Sequence, residues 1–440
     1  MSFFGSISSP VLDEASAPVI RRALHRARVV GAFAFAQAAV QLIGFASGIL
    51  LVRQLSQREY AFFTIANTMQ GTINILADVG ISIGVVAIGG RVWQDRHRFG
   101  QLIATALRLR RTLGAAAVAV VTPILYFMLI KNGASFGYAT ALIAIVLGGL
   151  AVQLSVSVLS VVPRLHSDID RIRTIDLTGA IVRLLILLGL AFVFLNAGVA
   201  AAVAAATILL QYWMLRRYVT GVIDLKAAPD EEDRLAMRGF IRSQAANSIF
   251  FCVQGQITVF LITFFGHQAS SVAEVGALGR LAMIFAVLSN LLTNVFAPMF
   301  ARCQSPRRLR WQYAGIVGSV AAFSAAVLGL AAFLPGVFLY VLGSKYSHLQ
   351  HELVLMAGGS VASAFINTLW ALNSSKAWIK GSWLYIPLTL ATQVALIPFT
   401  DFTSVRGVLL FNLISSVPNL LLNIVLSYRG FVRAHRAAAA

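Results

Sequence analysis

The amino-acid sequence predicts an all-α polytopic membrane protein, with twelve transmembrane helices in two six-helix lobes around a central cavity. Three observations lead there. Apolar residues make up 58% of the chain against 12% charged, with mean hydropathy +0.81, and they come in blocks near the length that crosses a hydrocarbon layer of about 30 Å. Basic residues gather in every second interval between the blocks. Features of the first half also return at an offset of 215 residues, which carries Gln41 onto Gln256 and Glu59 onto Glu274.

Taken in order, residues 1–28 are polar or basic, so no cleavable leader is expected, and "APVIRRALHRAR" (17–28) reads as a basic amphipathic anchor on an anionic leaflet. Apolar blocks then place spans at 29–52, 60–79, 112–130, 138–160, 174–195 and 197–215. The second set falls at 240–264, 272–297, 311–334, 353–373, 378–399 and 405–427. The expected organisation is a basic N-terminal segment 1–28, an N-lobe 29–215, a linker 216–239, a C-lobe 240–427 and a tail 428–440. With an inside N-terminus, 28 of the 35 Lys and Arg residues fall on the cytoplasmic side, Arg108, Arg110 and Arg111 among them. Both termini are therefore expected in the cytoplasm, and the net charge of +19 needs no nucleic acid. A repeat of six spans keeps its orientation and relates the lobes by an axis along the membrane normal.

The sequence offers little chemistry of bond making. Cys252 and Cys303 supply neither a disulfide framework nor a ligand set. "HLQHE" (348–352) lacks the zinc-protease order, no phosphate-cradling GxxxxGK[ST] is present, and "DEEDR" (230–234) reads as solvated linker. No cofactor, metal or enzymatic role is expected, and the short external loops disfavour a membrane glycosyltransferase or polymerase.

Polar groups on spans find no partner in lipid, so they should turn inward. Asn67, Asn74 and Asp78 are spaced seven and four apart and share one helix face within about 40°. Asn247, Gln254 and Thr258 repeat that spacing; Arg280 and Asn294 share a face, as do Gln37 and Gln41. Hydrogen bonds between helices explain the uncharged residues as well as a substrate does. Arg280 lies some eight residues inside its span, too deep to reach water cheaply. For Arg183, a salt bridge to Asp176, snorkelling and substrate binding remain open. Arg53 either marks the interface or meets a phosphate at the outer mouth. Glycines four apart in "GFASG" (44–48) and "GISIG" (80–84) suit close helix packing.

The stretch "LVRQLSQREYAFFTIANTMQGTINILADVGI" (51–81) resembles the start of the polysaccharide export families in the multidrug/oligosaccharidyl-lipid/polysaccharide flippase superfamily. Leu55, Ser56, Glu59 and Tyr60 match its beginning; Asp78 and Gly80 match its end, with Val79 in place of leucine. "VAEVGALGRL" (272–281) and "FAPMFA" (296–301) are similar to the companion pattern of the second lobe. The resemblance implies a Wzx-type O-antigen flippase of a bacterial inner membrane. It would carry an undecaprenyl-pyrophosphate-linked oligosaccharide by alternating access, alongside membrane lipid and polymerase or export partners. On that reading Arg280, Arg183, Arg53, Asn67, Asn74, Asn247, Gln254, Asn294 and Gln41 bind substrate, and Asp78 couples an ion. An ion-coupled drug or small-molecule antiporter of the same superfamily is the alternative, disfavoured by the shortage of acids deep in the spans.

Overall fold

The computed structural model describes residues 38–439 except 167, 267, 284–295 and 304. Among these residues the chain is helical with no strand. The first half is α1 (Ala38–Gln54), α2 (Gln57–Asp78), α3 (Ile81–Val92), α4 (Arg96–Lys131), α5 (Phe136–Leu159), α6 (Val161–Leu165), α7 (Ile169–Ala191) and α8 (Ala197–Val222). The second is α9 (Glu231–Phe265), α10 (Ala269–Leu281), α11 (Ala297–Arg302), α12 (Pro306–Phe333), α13 (Pro335–Leu342), α14 (Gln350–Ser375), α15 (Tyr385–Leu396) and α16 (Val405–Ala439). Nine helical segments among the described residues are long and apolar enough to cross a membrane, and the bent pair α2–α3 makes a tenth. The chain is a multi-pass membrane protein.

Several boundaries differ from those read in the sequence: α4 and α9 begin well before their apolar blocks because the helix continues through polar residues, and α3 occupies a stretch read as lying between spans. The 36-residue α4 starts sixteen residues before the apolar block at 112 and carries Arg98, Arg108, Arg110 and Arg111. Asp95 caps it, accepting from the backbone N–H groups of His97 and Arg98. Similarly, α9 begins at Glu231 under the cap of Asp230, so the break between α8 and α9 is only 223–230. That break is held down: Arg98 clasps Asp233 with both Nη atoms at 2.5 and 2.7 Å, and His97 contacts Asp224 at 3.1 Å. The His97 hydrogen bond holds the Asp224 carboxyl below its ordinary value.

The polar hinge at 51–60 is a set of fasteners. Ser56 caps α2 by accepting from Glu59 N–H. The Glu59 carboxylate accepts from Tyr138 Oη at 2.6 Å and from Ala197 N–H at 2.7 Å, so it binds α2 to α5 and to the N-terminus of α8. Arg58 donates to the Gly133 carbonyl, and Tyr60 is wholly buried. In the second half Glu274 of α10 faces His348 at 3.2 Å, so the repeated glutamate again ties a helix to a neighbouring segment.

Two ends of the bundle differ. At the end bearing residues 51–60 and 339–349, the hinge face, one hydrophobic core runs across both halves and contains Leu51, Leu55, Tyr60, Leu342, Tyr346 and Val408. At the opposite end, the linker face, the first half has its own core around Ile81, Phe99 and Val162, and the second half a separate one around Phe300, Val320 and Leu372. The first part of α9 stays with the first half: Gly80, at φ +83°, lies where a Cβ would come 2.9 Å from the Phe240 carbonyl. This close approach and left-handed backbone account for glycine at the 45° bend between α2 and α3.

Candidate functional site

A cavity of about 230 Å³ lies among α2, α5, α7 and α8. Phe63, Asn67 and Gln70 come from successive turns of α2, Gln153 from α5 and Arg183 from the middle of α7. Gln70 donates from Nε2 to Gln153 Oε1 at 2.9 Å, which fixes both carboxamides on the wall. Asn67 is exposed on the cavity side and hydrogen-bonds no described residue.

Among the described residues Arg183 is the one charged group lining the cavity, and no carboxylate lines it. No ion pair or hydrogen bond holds it among the described residues, and its Nε is buried without a partner. Asp176 does not pair with it and stands instead in the field of Arg164. Of the three explanations open in the sequence, the local salt bridge is thereby removed. An unneutralised guanidinium at this depth costs several kcal/mol unless water or an anion meets it.

Arg280 crosses from the second half to the first. Its chain lies on Gly48 of α1, where a Cβ would come 3.1 Å from Arg280 Cδ, so the glycine there makes room for the arginine. Arg280 Nε donates to Tyr60 Oη at 3.3 Å, and its guanidinium sits 5.8 Å from the centre of the Phe63 ring. Phe63 thus has Arg280 on it and the cavity beside it. Arg183 and Arg280 are thus two cations near the same phenylalanine. Neither meets a carboxylate among the described residues.

The other predicted site residues divide. Asp78 forms an ion pair with Arg110 of α4 at 2.8 Å and also accepts from Ser82 Oγ at 2.7 Å. Asn74 accepts from Arg110 Nη2 at 3.1 Å. The stripe of Asn67, Asn74 and Asp78 is real, but only its Asn67 end reaches the cavity; the other two brace α2 against α4. In the second half Gln254 exchanges hydrogen bonds with Gln393 at 3.0 and 2.8 Å, and Asn247 accepts from Tyr385 Oη. These are contacts between helices, not groups facing the cavity. Gln41 is half-buried on α1 and makes no hydrogen bond to a described residue. Asn294 and Gln37 lie outside the described residues. Arg53 sits at the hinge face, donating from Nε to Val341 O at 2.9 Å and from Nη2 to Tyr340 O at 2.5 Å.

Sequence reading missed Arg110, Phe63, Gln70 and Gln153. Arg110 was counted as loop because α4 starts before its apolar block, whereas Gln70 is three residues from Asn67 and was legible on the same face. Gln256 was seen only as a repeat position; its carboxamide faces Gly71 of α2, 3.6 Å from where a Cβ would stand. Among the described residues no group of three His, Cys, Asp or Glu side chains could hold a metal ion.

No protein-family model matches the chain, and no curated protein does. Solved structures match its fold. An inward-facing multidrug resistance MATE family transporter of the MOP superfamily is 15% identical, with TM-score 0.68, over 92% of this chain and 99% of that one. An outward-facing MATE family transporter gives TM-score 0.57 at 17% identity, over 93% and 94% of the two chains. A MOP superfamily transporter from Pyrococcus furiosus Vc1, described as having a reversed binding-pocket polarity that suggests a different function, gives 0.56 at 15% identity, over 92% and 94%. The fold is that of the MATE-type transporters.

Proposed function

We propose that this protein is an alternating-access transporter whose cargo carries a phosphate or pyrophosphate head. The observation that carries the reading is the cavity whose single charged lining group among the described residues is Arg183, which pairs with none of them, with the guanidinium of Arg280 just beyond Phe63. A planar guanidinium takes phosphate oxygens two at a time, and low local dielectric strengthens the attraction. The carboxamides of Asn67, Gln70 and Gln153 offer both donors and acceptors to sugar hydroxyls. A lipid-linked oligosaccharide of the undecaprenyl-pyrophosphate type fits this chemistry: its head occupies the cavity while the tail stays in the bilayer. The continuous core at the hinge face and the separate cores at the linker face support a state closed at the first and parted at the second. If the arginine distribution sets the orientation, that state opens inward, to the cytoplasm of a bacterial inner membrane.

The test uses full-length protein in vesicles containing a fluorescent undecaprenyl-pyrophosphate disaccharide. Arg183→Gln should slow translocation by about tenfold or more while thermal stability is kept, because the substitution removes the charge and leaves the hydrogen-bonding amide. Unchanged translocation in that variant refutes the reading.

The second reading, a cation-coupled drug antiporter, is favoured by the MATE-type fold, since the similar structures include multidrug resistance transporters. The Pyrococcus furiosus protein, described as having reversed pocket polarity, has the same fold. Uptake of a cationic dye driven by a proton or sodium gradient, insensitive to Arg183→Gln, selects the antiporter.

A further inference from the structure

A second cleft, of about 560 Å³, opens at the hinge face and is separate in its lining from the Arg183 cavity. Its wall takes Arg53 from the first half and Tyr340, Ser344, Lys345, Ser347 and Gln350 from the second. The size lies within the ordinary range for small-molecule sites. Among the described residues two cations line it, and no carboxylate does.

Both cations are fixed in place. Arg53 is held by the carbonyls of Tyr340 and Val341 and lies 5.6 Å from the centre of the Tyr340 ring. Lys345 Nζ donates to the carbonyls of Arg53 and Leu55 at 2.9 and 2.8 Å, and Gln57 Nε2 donates to the Lys345 carbonyl at 3.3 Å. Carbonyl oxygens satisfy donors but cancel no net charge, so two positive charges remain uncompensated on a preorganised wall. The Tyr340 ring is 78% exposed, a flat apolar surface beside those charges. Ser344, Ser347 and Gln350 add hydroxyls and a carboxamide for groups that both donate and accept.

We infer that this hinge-face cleft binds a small anionic saccharide, a ring bearing hydroxyls and one acidic group, and that its occupation holds the hinge face closed. The acid meets Arg53 and Lys345, the ring lies on Tyr340, and the hydroxyls meet Ser344, Ser347 and Gln350. Arg53 and Lys345 belong to opposite halves, so the complete site exists only while the halves touch at this end. A ligand that binds one state and not the other shifts the population toward the state it binds. The cleft is therefore a control site distinct from the transport cavity. It does not depend on the identity of the transported cargo, and its test uses no transport of a lipid-linked glycan.

The experiment is equilibrium binding and thermal stabilisation of the full-length protein in nanodiscs with three probes: glucuronate, glucose and inorganic phosphate. Spin labels across the linker face report the separation of the halves. Glucuronate should bind, raise the melting temperature and sharpen the distance distribution, with glucose at least about tenfold weaker. Tyr340→Ala, at an exposed position, should weaken glucuronate without unfolding the protein, and Arg53→Lys should keep more binding than Arg53→Gln. Arg183→Gln should leave it unchanged. The inference fails if glucose binds as well as glucuronate, if phosphate alone binds as tightly, if Tyr340→Ala and Arg53→Gln bind like the wild type, or if Arg183→Gln abolishes binding.

Discussion

The Asp78–Arg110 pair makes an unequal prediction from one contact. The Arg110 side chain is 3% exposed and that of Asp78 34%, at an N···O distance of 2.8 Å. Replacing Asp78 with Asn leaves a guanidinium almost sealed from water with no counter-charge, only neutral amide oxygens to accept from it, and its Nε already without a partner. Stranding a buried charge costs about 3–5 kcal/mol. Replacing Arg110 with Met leaves instead a carboxylate that is one-third exposed and still accepts from Ser82 Oγ and N–H. That loss should cost about 1–2 kcal/mol. Asp78→Asn should therefore be the more destabilising of the two by about 2 kcal/mol, although both break the same pair. The double variant Asp78→Asn/Arg110→Met should return to within about 1 kcal/mol of the wild type, since a buried pair replaced by neutral groups is often close to neutral. Unfolding of the four proteins in mixed micelles gives the cycle. Equal single-variant losses, or losses that add in the double variant, would refute the account of Arg110 as a buried charge held chiefly by Asp78. Transport by the double variant then separates bracing from coupling: a stable protein that no longer responds to an ion gradient places a coupling function on the Asp78–Arg110 pair.

Two other outcomes follow from contacts between helices. Gly276 of α10 faces Thr64 of α2 more closely than a Cβ allows, and the Thr64 hydroxyl is committed to the Tyr60 carbonyl at 2.8 Å, so the threonine cannot readily turn away. Gly276→Ala should cost about 1–3 kcal/mol and loosen the junction between the halves, measured by unfolding and by spin-label distances across the hinge face; a silent alanine would show that α2 and α10 are not closely seated. The reciprocal Gln254–Gln393 pair should give a coupling of about 1 kcal/mol in a double-mutant cycle to Leu, with little effect on translocation. A large transport defect in both single variants would instead give the pair a role in the cargo pathway.

The helical character of the chain was legible because membrane spans are set by length and apolarity, both local properties. The hinge was half legible. Ser56 and Glu59 have the spacing of a capping pair, but Tyr138 and the N–H of Ala197 approach Glu59 only through the packing of α2 against α5 and α8. Helical phase found Asn67 and, by the same logic, could have found Gln70. It placed Asn74 and Asp78 on that face too, without revealing that Arg110 waits on α4. Hydropathy had put Arg110 in a loop, because a window dominated by charge reads as loop even where the helix continues.

By itself the sequence determined the class of protein and the approximate place of most of its apolar helices, since both follow from the cost of placing charge or unpaired backbone in hydrocarbon. Only the tertiary structure decided which charges are neutralised. Asp78 meets Arg110 across two helices, while Arg183 faces an open cavity and Arg280 an aromatic ring and a phenol. The physical reason is range: desolvation is a property of a residue's own position along a span, but the compensation of a charge depends on groups dozens to hundreds of residues away, brought within a few ångströms only when the helices pack.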